Sequence, residues 1–106
     1  MDARERYDEL VDDLCARHDD VEPSQMMGMP CVKRSGKMVA GFTRSEGAMV
    51  FKLPDPDAHA RALALDGAHL FDPGGKGRPF KEWVVVPAAH ADEWEAFSHD
   101  ALRPAG

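Results

Sequence analysis

Three short apolar segments joined by glycine-containing turns restrict the fold of this 106-residue chain more than any other feature. The segments cover residues 31–34, 37–43 and 48–53, and the turns between them centre on Ser35-Gly36 and Ser45-Glu46-Gly47. Connections this short join antiparallel strands, because a parallel crossover needs about a dozen residues or more. The middle of the sequence therefore predicts an antiparallel meander.

The spacing of apolar side chains elsewhere predicts three helices and two further strands. Over residues 3–17 the larger apolar side chains recur at helical spacing: Tyr7, Leu10, Val11, Leu14 and Cys15. Asp55 and Pro56 open a second helix that we expect to reach about residue 65, and residues 90–102 predict a third. Residues 69–71 and 82–87 are the strand candidates, and the near-continuous apolar run of 82–87 indicates a central strand.

The resulting order, α-β-β-β-α-β-β-α, predicts an α+β fold. We expect one domain over residues 1–106, built in two layers from an antiparallel sheet of about five strands with flanking helices. The short apolar segment 25–29 is assigned to the first strand or its end.

Charge and composition argue against several classes of function. The net charge is −6, so the chain lacks the overall positive field that draws proteins to DNA or to anionic lipid. Its apolar runs are too short to cross a bilayer, and the acidic N-terminal residues do not fit a signal peptide. We therefore expect a cytoplasmic protein without membrane association. The lack of Asn and Ile is typical of a GC-rich bacterial genome.

The two cysteines and five histidines show no catalytic or metal-binding motif. Cys15 and Cys31 do not form a CxxC pair, no Cys/His spacing fits zinc, and there is no HExxH string. In the cytoplasm we expect both cysteines to be reduced thiols. The sequence thus predicts no catalytic residue, no metal and no cofactor, and we expect no enzymatic activity.

Six of the thirteen lysine and arginine residues lie in two short segments and are the candidate contacts to an anion or a nucleic acid: Lys33, Arg34, Lys37, Lys76, Arg78 and Lys81. The first three flank a predicted hairpin turn. The others lie in or after a glycine-rich loop, where the bare backbone can approach a phosphate. If both segments lie at one end of the sheet, they form a single positive patch. Otherwise both are ordinary solvated turns, and Phe80, the aromatic residue placed to stack on a base, packs in the core.

Three strings resemble the N-terminal domain of TfoX-type competence regulators: residues 36–40, 51–54 and 77–87. They occur in the order and spacing of that family, and Lys81-Glu82-Trp83-Val84 with its continuation to Pro87 is the most specific piece. The resemblance implies an antiparallel sheet with flanking helices, similar to the secretion-chaperone-like fold, and it implies no settled catalytic residue and no cofactor. A looser similarity connects the chain to the YjbR-type small bacterial proteins.

Two hypotheses for the function follow. The first, which the resemblance favours, is a stand-alone TfoX N-terminal-like domain that regulates by binding a protein partner or a second copy of itself. Such association would use an open sheet edge or the apolar face of a helix. The second hypothesis is nucleic-acid or anion binding through the 33–37 hairpin and the 74–81 loop.

Overall fold

A computed structural model describes residues 2–26, 28–72, 75, 77 and 79–103 of the chain. Within these residues there are three α-helices, α1 (Ala3–Arg17), α2 (Pro56–Leu63) and α3 (Trp94–Leu102), and a 3-10 helix (Ala88–Glu93) leads directly into α3. The same residues form six strands: β1 (Val21–Met26), β2 (Met29–Arg34), β3 (Lys37–Thr43), β4 (Ala48–Lys52), β5 (His69–Phe71) and β6 (Phe80–Val86). The predicted α+β fold is confirmed.

The described strands form one antiparallel sheet in the order β1-β2-β3-β4-β6-β5. β6 therefore lies inside the sheet between β4 and β5, as its apolar run predicted. All three helices pack on one face of this sheet. The core between the two layers combines residues of the helices with alternate residues of the strands: Tyr7, Val11, Leu14, Ala58, Ala62, Trp94, Phe97, Val32, Phe42, Met49, Phe51, Val84 and Val86.

Local hydrogen bonds fix where the helices begin and how α3 is attached. The Asp2 carboxylate accepts the backbone N–H of Glu5 at 2.8 Å, and Asp55 accepts that of Ala58 at 3.1 Å, so α1 and α2 both carry N-terminal caps. The buried indole of Trp94 donates to the carbonyl oxygen of Val86 at 3.1 Å. This bond anchors α3 to β6.

The structure differs from the prediction at two places. The sheet has six strands rather than about five, because Val21–Met26 pairs with β2 along its whole length. The sequence assigned only segment 25–29 to a first strand or its end, but a proline is tolerated in a strand at the edge of a sheet, and β1 begins at Val21. The predicted third helix is a 3-10 helix up to Glu93, with a kink at His90 (φ −111°), and is α-helical only from Trp94.

Candidate functional site

Part of the predicted basic patch does come together at one end of the sheet. The β2–β3 hairpin turns at Ser35 and Gly36, both with positive φ (52° and 82°), which is the turn whose twist matches antiparallel strands. β3 and β6 begin at the same end, because β4 runs antiparallel to both. Lys33, Arg34 and Lys37 thus share this end with Lys81, although β3 and β6 are two strand spacings, about 10 Å, apart. Lys76 and Arg78 lie outside the described residues.

The Arg34 side chain makes hydrogen bonds within the protein. Its Nε donates to Oδ2 of Asp20 at 2.8 Å, and its Nη1 donates to the carbonyl oxygen of Leu102 in the last turn of α3. The bond from Arg34 lowers the pKa of the Asp20 carboxyl. The guanidinium therefore links the start of β1, the end of β2 and the C-terminal end of α3, where a cation also complements the helix dipole.

The other described cations at this end differ in their relation to Arg34, because Lys37 is directly opposite it in the β2–β3 register and Lys33 is not. Arg34 reaches α3 on the helix-covered face, so the preceding residue, Lys33, lies on the opposite face of the strand. Lys33 is directly opposite Glu22 in the β1–β2 register, and cross-strand pairs of opposite charge attract. Lys33 and Arg34 therefore lie on different surfaces of the sheet, although they are neighbours in the sequence.

The expectation that Phe80 packs in the core is wrong. Phe80 is 52% exposed, and its ring lies on that of Phe71, with 6.0 Å between centroids. The two residues are paired between β5 and β6. Phe80 begins β6 beyond the part of that strand that the helices cover, so the fold leaves an aromatic side chain in solvent next to the exposed Lys81.

The face of the sheet away from the helices is also apolar. Ala48, Val50 and Val85 form a second buried cluster that contains no helix residue, with Phe71 and Trp83 packed against it. Each of the first three side chains is at most 1% exposed. We call this surface the helix-free face. No described helix covers it, and the strand side chains of Phe71 and Trp83 pack against its centre.

Curling of the sheet explains this shielding. Gly28 and Met29 at the start of β2 line the same cleft as His69 and Phe71 of β5. In a flat sheet with this strand order, β2 and β5 would be four strand spacings, about 19 Å, apart. The sheet therefore curves around the helix-free face and makes it concave.

The cleft has a volume of about 370 Å³ and mixed walls. Met29 and Phe71 supply apolar surface, and the β3–β4 turn supplies Thr43, Arg44, Ser45 and Glu46. The hydroxyl oxygens of Thr43 and Ser45 are 3.2 Å apart, and Oε1 of Glu46 is 3.0 Å from Nε2 of His69. Sequence analysis did not identify this site, because its walls come from three segments with no shared motif.

The helix faces and the β1 edge, two surfaces through which the sequence predicted association, are partly occupied within the protein. The apolar faces of α1, α2 and α3 are already buried in the core. Met26 and Met29 form the closing pair of the β1–β2 hairpin, with two residues between them. Along an antiparallel strand the backbone N–H and C=O groups of successive residues point alternately toward and away from the neighbouring strand. Those of residues 21, 23 and 25 therefore point away from β2. The N–H of Val21 donates to the carbonyl of His18, and Pro23 has no N–H. Gln25 is thus the remaining outward donor of β1, a poor edge for an added strand.

The cysteine thiols are at least partly buried, and two histidine rings contact backbone carbonyl oxygens. Both cysteines are free thiols, and burial raises the pKa of each, which disfavours the reactive thiolate. His59 and His90 each contact a backbone carbonyl, that of Lys81 at 2.7 Å and that of Asp66 at 2.9 Å. The described residues contain no cluster of three or more His, Cys, Asp or Glu side chains arranged to hold a metal ion.

Comparison with known proteins found no matching family model, no matching curated protein and no matching solved structure. In the part of the chain that the structure describes, no helix combines the length and the apolar character needed to cross a membrane.

Proposed function

We propose that this chain is a non-enzymatic cytoplasmic interaction module, a stand-alone relative of the TfoX N-terminal domain. It binds a protein partner, a second copy of itself included, on the helix-free face. The observation that supports this most is an apolar sheet face without a covering helix whose flanking aromatic side chains stay partly exposed. Contiguous exposed apolar surface next to polar residues is typical of protein interaction sites.

The aromatic side chains next to the buried cluster suit such contacts. Trp83 and Phe71 pack against the cluster but are only partly buried, and Phe80 projects beyond them. Aromatic residues are enriched among the side chains that dominate binding energy in interfaces. The charged residues around them, Lys52 and Lys81, are compatible with a polar rim.

Site-specific photo-crosslinking in cells of the source organism tests this proposal. A photoreactive phenylalanine analogue replaces Phe80 in one variant and the exposed Glu9 of α1 in a matched control. We expect an adduct from position 80 and none from position 9. Its mass separates a second copy from another protein. The captured protein is then purified, and Phe80→Ser should weaken its binding at least about tenfold while Glu9→Ala does not. Adducts from position 9 alone, or equal binding by the two variants, would refute the proposal.

Nucleic-acid binding is the second candidate, because Phe80 is exposed beside Lys81 rather than buried. Single-stranded nucleic acids are bound by aromatic side chains that stack on bases together with cations that contact phosphates. A fluorescent oligonucleotide titrated at low salt tests this, since phosphate contacts are strongest there. If Phe80 serves this purpose, Phe80→Leu should weaken binding by about tenfold or more. Absence of binding at low salt would exclude the candidate.

A further inference from the structure

The cleft at the end of the helix-free face carries a specific combination of groups. It is lined by two apolar side chains, Met29 and Phe71, by two hydroxyls and by one arginine, Arg44. A partly apolar wall with a few polar groups that converge on it is the usual composition of a ligand site. The volume of about 370 Å³ is at the lower end of the range of such sites.

Arg44 is a cation of the cleft wall that is free to contact a ligand. It is exposed in the β3–β4 turn and makes no ion pair with any described carboxylate. The two acids in the walls already have partners. Glu46 contacts His69, and the Asp72 carboxylate accepts the N–H of Gly77 at 3.1 Å. An anion that enters the cleft therefore meets one unpaired guanidinium and the hydroxyl of Ser45.

The same acids restrict the charge of that anion. Glu46 and Asp72 line the cleft with Arg44, so among its described lining residues a dianion such as phosphate would face two carboxylates for one unpaired cation. A single carboxylate attached to an apolar group matches the walls better, because its charge suits Arg44 and its apolar part covers Met29 and Phe71. An arginine also binds a carboxylate through two parallel hydrogen bonds.

The exposure of the site favours the terminus of a polypeptide over a small molecule as the source of the carboxylate. Arg44, Ser45, Glu46 and His69 are all exposed, so the cleft cannot enclose a small molecule on most sides, as ligand pockets do. A chain terminus needs no such enclosure, because the preceding residues gain contacts along the adjoining helix-free face. Capture of a C-terminal carboxylate is a known mode of peptide recognition.

We infer that the cleft binds the C-terminal carboxylate of a partner chain whose last side chain is apolar, with Arg44 and Ser45 contacting the carboxylate. This inference rests on the proposed function, since it assigns the end of the partner that the helix-free face receives. His69 only positions the site: Nδ1 lies 3.1 Å from the carbonyl of Gly67 and Nε2 contacts Glu46, so both ring nitrogens are occupied.

The test uses six-residue peptides ending in Val, Leu or Phe, each with a free carboxylate or a C-terminal amide, followed by the backbone amide signals in NMR titrations. We expect at least one free-acid peptide to shift the signals of residues 43–46 and 69–72. Its amide should bind at least about tenfold more weakly, since a charge-assisted bond is lost. Arg44→Gln should reduce binding to a similar extent, and the matched control Arg6→Gln on α1 should not.

Three outcomes would overturn the inference. These are equal binding of acid and amide peptides, no shift in residues 43–46 at millimolar peptide, and tighter binding of octanoate or inorganic phosphate than of any peptide. None of them affects the crosslinking result at position 80. Failure of the carboxylate site and failure of the proposed function are therefore distinguishable.

Discussion

Replacement of Arg34 by Gln tests whether this residue belongs to the fold or to a binding surface. The side chain is 34% exposed and connects Asp20 with the carbonyl oxygen of Leu102. A hydrogen bond from a charged donor contributes about 1.5–3 kcal/mol when buried, and partial exposure reduces that contribution. We expect Arg34→Gln to lower the free energy of unfolding by about 1–2 kcal/mol, which shifts the urea midpoint by about 1 M in a domain of this size.

The pH dependence of this loss separates the two contacts of Arg34. The bond from Arg34 depresses the pKa of Asp20 in the folded state. Its stabilising effect is therefore present above the ordinary pKa of aspartate, near pH 4, and disappears as the pH falls through the lower value of the folded state. The carbonyl of Leu102 does not titrate. The stability difference between the wild type and Arg34→Gln should narrow below about pH 4 without reaching zero.

Urea denaturation at pH 7 and pH 3.5, followed by tryptophan fluorescence, measures both effects. Lys37→Gln is the matched control, because Lys37 is exposed in the same hairpin and makes no ion pair with a described carboxylate. It should change stability by less than about 0.5 kcal/mol. The reasoning is refuted if the two variants unfold at the same urea concentration, or if Arg34→Gln keeps full stability and loses oligonucleotide binding at low salt.

Three further substitutions test the packing described above. Trp94→Phe removes the indole N–H that donates to the carbonyl of Val86 and should cost about 1 kcal/mol in thermal or urea unfolding; an unchanged midpoint would contradict this. Ser35→Asn should stabilise the protein by about 0.5 kcal/mol, since Asn tolerates the positive φ of this turn better than Ser, and a lower midpoint would count against it. Phe80→Ser should stay within about 0.5 kcal/mol of the wild type in the same measurements because Phe80 is half exposed, and a loss above about 1 kcal/mol would show that it belongs to the core.

Local signals were sufficient for much of the fold. α1 has the bounds that its apolar spacing predicted, because the periodicity of a helix is contained within its own fifteen residues. The two hairpin turns at residues 35–36 and 44–47 were equally local. β1 was missed in part because Pro23 is acceptable only at the edge of a sheet, and edge position depends on the order of all the strands.

The candidate site was predictable to a smaller extent. Sequence analysis found the basic residues, and the strand order does bring four of them to one end of the sheet. The intramolecular contacts of Arg34 could not be predicted, because its partners Asp20 and Leu102 are 14 and 68 positions away. The cleft near Arg44 was invisible for the same reason, since Met29 and His69 meet only through the curvature of the sheet.

The apolar pattern of β4 and β6 explains why the helix-free face has a buried centre and an exposed margin. β4 up to Phe51 and the second half of β6 are apolar on both faces, a pattern usually associated with a sheet covered on both sides. Here helices cover one side only, and the curl shields Val50 and Val85 on the other. Substitution of those two residues should therefore damage the fold, whereas Phe80 lies beyond the shielded region and can change with little loss of stability. Such a surface can bind a partner through the aromatic residues at its margin while its buried centre keeps the fold unchanged.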